Sequence, residues 1–153
     1  MNIRTRYPER TEYSADSEWD GRTGGVASTS RGHTIRFDTP ATYGGLGEGI
    51  CPDEMFVCSL LGCLNNTFLD FQRRFELNLI SLRLSGKATA RFGEGGYRLQ
   101  GIDVSGEVVV AEGETDVATR CVELMKQYCH ISRSIGSCVP ITYHIDVREA
   151  APD

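Results

Sequence analysis

The strongest constraint on the fold is an apolar segment that begins at Pro52 and predicts a helix running from Asp53 to Phe75. Proline is favoured at the first helical position, and the two acidic residues after it suit the positive end of the helix dipole. Apolar side chains recur at helical spacing on both faces of the first half of this segment. This pattern is typical of a central, buried helix.

The rest of the chain predicts mostly strands, because apolar and polar residues alternate between turns rich in glycine. The predicted strands cover residues 12–20, 24–30, 33–38, 79–92, 97–110 and 139–147. A second helix is predicted from Thr115 to Cys129, followed by a short turn or helix over 132–137. The order of elements predicts one α+β domain over residues 1–153, with an antiparallel sheet packed on two central helices.

Composition excludes several kinds of partner. The net charge is −5 and no basic run is present, which argues against binding nucleic acid or an anionic membrane surface. The first residues, MNIRTRYPERTEYS, show no apolar core of a signal peptide, and no stretch approaches the roughly 20 apolar residues of a membrane span. We therefore expect a cytoplasmic protein, whose resting thiols are reduced.

Six cysteines are present, and none of them forms a Cys-x-x-Cys pair, so a zinc site is poorly supported and no metal or organic cofactor is indicated. Cys63 and Cys129 are the candidates for redox chemistry, since each is placed where an apolar helix meets polar residues. Arg133 and His130 follow Cys129 closely and could stabilise a thiolate. The alternative is that both are small core residues, as we expect for the other four: Cys51, Cys58, Cys121 and Cys138.

A cysteine hydrolase or acyl-transfer enzyme is a further possibility, because a thiol nucleophile can be activated by a histidine base. The candidate bases are His33, His130 and His144. No local motif selects one of the three.

Four separated motifs occur in an order that resembles the OsmC/Ohr family of thiol-dependent peroxidases, over about Trp19 to Val147. The motifs are Trp19-Asp20-Gly21, Asp38-Thr39-Pro40 with Gly44-Gly45, Cys51-Pro52-Asp53-Glu54-Met55 through Leu61-Gly62-Cys63, and Tyr128-Cys129-His130-Ile131-Ser132-Arg133-Ser134-Ile135. The resemblance implies an OsmC-like fold in an intertwined homodimer, with the active site at the interface between the two protomers.

The same resemblance implies reduction of organic hydroperoxides in defence against oxidative stress. Cys63 would be the thiolate that attacks the peroxide, and Cys129 the thiol that resolves the sulfenic acid to a disulfide. An external dithiol of the lipoyl type would then reduce the disulfide.

Two further site residues follow from the family pattern, a carboxylate after the proline that starts the helix and an arginine in an early turn. Here these positions fall on Asp53, where the family has Glu, and on Arg22, with Arg31 as the other candidate. His130 stands where the family usually has proline. Because some relatives with the Asp38-Thr39-Pro40 motif have no established peroxidase activity, the alternative is a non-enzymatic protein that binds an apolar small molecule at the dimer interface.

Overall fold

The computed structural model describes residues 8–151 and divides into two compact units, the first ending at Glu54 and the second beginning at Met55. The elements, in chain order, are β1 (Ala15–Trp19), β2 (Gly24–Thr29), β3 (Thr34–Asp38), a 3₁₀ turn (Ala41–Tyr43), α1 (Pro52–Arg74), β4 (Leu79–Gly93), β5 (Gly96–Val110), α2 (Thr115–Tyr128), α3 (His130–Ile135) and β6 (Ile141–Glu149). The α+β class predicted from the sequence is confirmed. The prediction of one domain over residues 1–153 stays a prediction.

The first unit is built on a three-stranded antiparallel sheet in the order β1-β2-β3. The turn between β2 and β3 contains Gly32 at φ 85°, a conformation that glycine adopts without steric cost. The predicted hairpin about Arg31 and Gly32 is confirmed.

Asp38, at the end of β3, fixes the glycine-rich loop that follows. Its side chain is 1% exposed and accepts hydrogen bonds from the Thr23 hydroxyl at 2.7 Å and from the N–H groups of Thr39 at 2.7 Å and Glu48 at 2.9 Å. The Glu48 N–H, the Thr23 hydroxyl and the Thr39 N–H lower the pKa of Asp38, with a smaller contribution from Arg36, while burial opposes them. The ionised carboxylate therefore holds β2, β3 and the loop together.

We expect Asp38→Asn to lower the thermal midpoint at neutral pH, because an amide cannot accept all three hydrogen bonds. The folded-state pKa lies below the ordinary value of 3.8, so this stabilisation is present above that pH and is lost as pH falls through the folded pKa. Thermal melts of both proteins between neutral pH and about pH 3 measure the difference. Asp16→Asn, at an exposed position of β1, is the control. A deficit in Asp38→Asn that does not narrow with acid would contradict the assignment.

The second unit contains a three-stranded sheet in the order β4-β5-β6. β4 and β5 are the antiparallel arms of the long hairpin predicted from the alternation, whereas β6 runs parallel to β5, with Ile102 opposite Ile141 and Val110 opposite Glu149. The sheet is therefore mixed rather than antiparallel throughout. The reason is the connection: α2 and α3 carry the chain back along the sheet before β6 begins.

The core of the second unit lies between α1, α2 and β5. Its fully buried side chains include Leu60, Leu64, Phe68, Ile102, Val104, Val108, Val110, Ala118, Cys121 and Met125, each no more than 1% exposed. The buried residues of α1 recur at helical spacing, as the sequence predicted. Among residues 8–151, no helix is long and apolar enough to cross a membrane.

Candidate active site

Cys63 and Cys129 come together in the second unit. Cys63 lies in the middle of α1, half-buried, with one side against the hydrophobic core. Cys129 lies between α2 and α3 and is 0% exposed. Both are free thiols. Cys63 therefore lies within α1 as predicted, Cys129 lies one residue beyond the end of α2, and the Cys129 thiol is near enough to raise the pKa of Cys63.

The bend between α2 and α3 is what places Cys129 beside α1. The Cys129 backbone turns out of the helix at ψ 113°, while its N–H still donates to the Met125 carbonyl at 3.0 Å. Its own carbonyl accepts the Arg133 N–H at 3.0 Å and the Ser132 hydroxyl at 3.0 Å. These hydrogen bonds fix both helix ends around the cysteine.

The Cys63 sulfur is also in contact with His130. Its Sγ atom lies 3.4 Å from His130 Nδ1 and 4.0 Å from Nε2, within the range of a sulfur hydrogen bond. His130 is exposed to solvent. The Cys63 sulfur therefore has an imidazole within hydrogen-bond range and a second thiol, that of Cys129, nearby.

The environment of Cys63 has opposing effects on its acidity. Burial is the largest effect and raises the pKa of the Cys63 thiol. The backbone N–H groups of Ile131 and His130 donate to the sulfur and lower the pKa, whereas the neighbouring Cys129 thiol raises it. The net direction is upward. Formation of the reactive thiolate consequently needs a further favourable interaction.

The other cysteines show why Cys63 is the best nucleophile candidate. Burial raises the pKa of Cys121 to about 11, so this thiol stays protonated at neutral pH. Cys58 and Cys138 are exposed, and Cys51 is partly buried with its Sγ 4.0 Å from Asp53 Oδ2. The structure gives none of these three the neighbouring thiol and imidazole that Cys63 has.

Two predicted site residues lie in the first unit. The Arg22 guanidinium pairs with the Glu48 carboxylate at 3.3 Å, and its backbone carbonyl accepts the Trp19 indole N–H at 3.1 Å. Asp53 is exposed in the first turn of α1. Arg31, the other arginine candidate, is exposed in the turn between β2 and β3. A role for any of them at Cys63 stays a prediction.

His130 was a candidate base in the sequence, but only the structure shows that its ring lies beside Cys63. It was one of three candidate bases, and among the described residues it is the one whose ring contacts Cys63. His33 lies in the turn before β3, and His144 is exposed on β6. The donor groups of Ile131 and His130 were missed, because backbone N–H groups leave no signal in a residue pattern. Within residues 8–151, no cluster of three His, Cys, Asp or Glu side chains could hold a metal ion.

The sequence matches the family model described as OsmC-like protein over residues 45–144, well over half of the chain. The protein therefore belongs to the OsmC-like family. This match includes Cys63, Cys129 and His130. No curated protein matches the sequence.

Solved structures with the same fold cover most of the chain. An OsmC-like protein of unknown function from Vibrio cholerae aligns with a TM-score of 0.76 at 15% identity, covering 89% of this chain and 99% of that one. An organic hydroperoxide resistance protein OsmC from Legionella pneumophila aligns at 0.66 and 16% identity, covering 90% and 97%. The organic hydroperoxide resistance protein OhrB of Bacillus subtilis aligns at 0.65 and 15% identity, covering 88% and 98%. At these identities the likeness establishes the fold.

Proposed function

We propose that this protein reduces organic hydroperoxides through the thiol pair Cys63 and Cys129. The Cys63 thiolate attacks the distal oxygen of the hydroperoxide, the O–O bond breaks, and the alkoxide leaves and takes up a proton. The products are an alcohol and a sulfenic acid on Cys63, whose sulfur has lost two electrons to the peroxide.

The second step converts the Cys63 sulfenic acid to a disulfide with Cys129. The Cys129 sulfur attacks the sulfenic sulfur of Cys63, which forms a disulfide and releases water. A small external dithiol then exchanges with this disulfide, restores both thiols and leaves as its own disulfide. The cycle needs no metal or organic cofactor.

Two observations carry this proposal: Cys129 directly precedes His130, whose ring lies 3.4 Å from Cys63 Sγ, and the Cys129 thiol is near enough to raise the pKa of Cys63. Cys63 is partly accessible, whereas Cys129 is 0% exposed, so a peroxide in solution meets Cys63 first. The buried thiol is then already beside the sulfur it must attack. Solved relatives of the same fold that are named organic hydroperoxide resistance proteins support the choice of substrate class.

The proposal includes an assembly and a setting in the cell. The active protein is a homodimer in the cytoplasm, where it contributes to defence against oxidative stress. Asp53 and Arg22, with Arg31 as the alternative arginine, are proposed to assist the Cys63 thiolate. The dimer and these three residues rest on the family pattern of the sequence, and the cytoplasmic setting rests on the expectation from the sequence.

The test is consumption of cumene hydroperoxide in the presence of dihydrolipoamide. We expect steady turnover by the wild type, whereas Cys129→Ser should stop after one equivalent and accumulate a sulfenic acid that dimedone traps on Cys63. Mass spectrometry measures the dimedone adduct. Cys138→Ser, which removes an exposed cysteine near the same helices, should turn over like the wild type. An inert wild type would favour the non-enzymatic alternative, a protein that binds an apolar small molecule.

The contact between Cys63 and His130 favours a second candidate function, acyl transfer or ester hydrolysis. Cys63 would attack a carbonyl carbon, with His130 accepting the thiol proton and returning it to the leaving group. Incubation with p-nitrophenyl acetate distinguishes this function, since it predicts an acetyl thioester on Cys63 that forms and decays with turnover. Formation of a stable adduct without turnover would leave peroxide reduction as the function.

A further inference from the structure

We propose that His130 is a catalytic residue that takes the proton from the Cys63 thiol and later returns it to the alkoxide released from the hydroperoxide. The return of the proton rests on the proposed function, whereas the activation of Cys63 does not.

The geometry around Cys63 provides the first support. His130 Nδ1 lies 3.4 Å from Cys63 Sγ, so a proton can pass between the two atoms along one hydrogen bond. The backbone that carries the ring is fixed, because the Ser134 hydroxyl donates to the His130 carbonyl at 2.7 Å and the preceding Cys129 N–H is bound to Met125. The exposed ring can also exchange its proton with water.

The charge of the site provides the second support. Burial and the Cys129 thiol disfavour a thiolate at Cys63, and the hydrogen bonds from two backbone N–H groups only partly offset them. An imidazolium beside the sulfur supplies the missing positive charge. Among the described residues, His130 is the cationic side chain whose contact with this sulfur the structure records.

The proton transfer and the displacement at the peroxide oxygen form two steps, and atoms and charge balance in each. The Cys63 thiol and the neutral imidazole first become a thiolate and an imidazolium, with no change in total charge. The thiolate then displaces the alkoxide from the peroxide, and the imidazolium gives its proton to the alkoxide. The products are the Cys63 sulfenic acid, an alcohol and neutral His130.

Other titratable groups face this pair and must be considered in a pH profile. The Cys129 thiol raises the pKa of Cys63 and, besides burial, it also raises the pKa of the Tyr143 phenol of β6, which Ser132 lowers. Burial raises the pKa of Tyr143 above its ordinary value of 10.0, so this group stays neutral over the range of the experiment. Tyr143 therefore does not contribute to the profile, and the His130 variants test the contribution of the imidazole.

The experiment is the rate of alkylation of Cys63 by iodoacetamide, resolved by peptide mapping, between about pH 6 and pH 9. We expect His130→Asn to slow this reaction at neutral pH and to move its midpoint upward. Loss of an opposite charge at this distance raises the thiol pKa by about one to three units, which lowers the thiolate fraction at pH 7. The remaining thiolate is more nucleophilic, because nucleophilicity rises with the thiol pKa with a Brønsted coefficient of about 0.5. Together these values predict a loss of about threefold to thirtyfold at pH 7.

The controls separate activation from folding. His144→Asn removes an exposed histidine of β6 in the same unit and should leave the Cys63 profile unchanged. His130→Gln should repeat the effect of His130→Asn, and thermal melts verify that both variants are folded. The rate of Cys58 alkylation in every sample provides an internal reference.

The outcomes also distinguish this proposal from the proposed function, since alkylation needs no peroxide. An unchanged Cys63 profile in both folded His130 variants overturns the role of His130, even if the wild type consumes hydroperoxide. A profile that depends on His130 in a wild type that is inert toward hydroperoxide supports the activation of Cys63 and overturns peroxide reduction.

Discussion

Cys63→Ser is expected to abolish hydroperoxide reduction, to below about one-thousandth of the wild-type rate, because the variant has no sulfur to accept the peroxide oxygen. A hydroxyl at this position cannot form a sulfenic acid or a disulfide. The half-buried site accommodates serine with little change in volume, so the fold should be retained. The measurement is consumption of cumene hydroperoxide with excess dihydrolipoamide.

Cys58→Ser is the matched control for this prediction. Cys58 lies on the same helix, five residues before Cys63, and is exposed. Its removal tests whether the loss of any accessible thiol on α1 lowers the rate. Equal rates for Cys63→Ser and wild type would show that Cys63 is not the nucleophile. A loss of activity confined to Cys58→Ser would instead identify Cys58 as the reacting thiol.

Phe68→Ala is expected to lower the free energy of unfolding by about 3–5 kcal/mol, the usual result of removing a buried phenylalanine ring. Phe68 is 0% exposed and lies on the buried face of α1, between Leu64 and Phe71. The cavity would lie in the core that α1 shares with α2 and β5. Urea unfolding followed by far-ultraviolet circular dichroism measures the loss.

Phe92→Ala provides the comparison at an exposed position. Phe92 lies near the tip of the β4–β5 hairpin, 68% exposed, with its ring 5.2 Å from that of Tyr97. Removal of this edge contact should cost no more than about 1 kcal/mol. Similar losses in the two variants would show that the α1 core does not dominate the stability of the protein.

Periodic patterns predicted most of the fold. The helix that begins at Pro52, the hairpin about Gly32 and the long hairpin after Leu79 were all visible as apolar repeats bounded by turn residues. The parallel pairing of β5 with β6 was not visible, because strand direction depends on where the intervening helices return the chain. Local patterns do not contain that information.

The candidate site was predicted as a set of residue types and only partly as an arrangement. Cys63 and Cys129 were paired through a family resemblance, and in the structure Cys129 directly precedes His130, whose ring contacts Cys63 Sγ. The contact between His130 and Cys63 depends on the bend at Cys129, which the sequence pattern predicted as the last residue of the second helix. The pattern did not predict that a third helix begins directly after this bend and carries His130. Arg22 and Asp53 remain predictions from the family pattern.

The most direct test of the thiol pair is a disulfide map of the reduced protein after addition of one equivalent of cumene hydroperoxide. Excess dithiol is removed beforehand, and the remaining free thiols are alkylated before digestion. We expect one cross-linked peptide that joins Cys63 to Cys129, with the other four cysteines alkylated. Recovery of Cys63 and Cys129 as alkylated thiols, or a disulfide between exposed cysteines instead, would contradict the account.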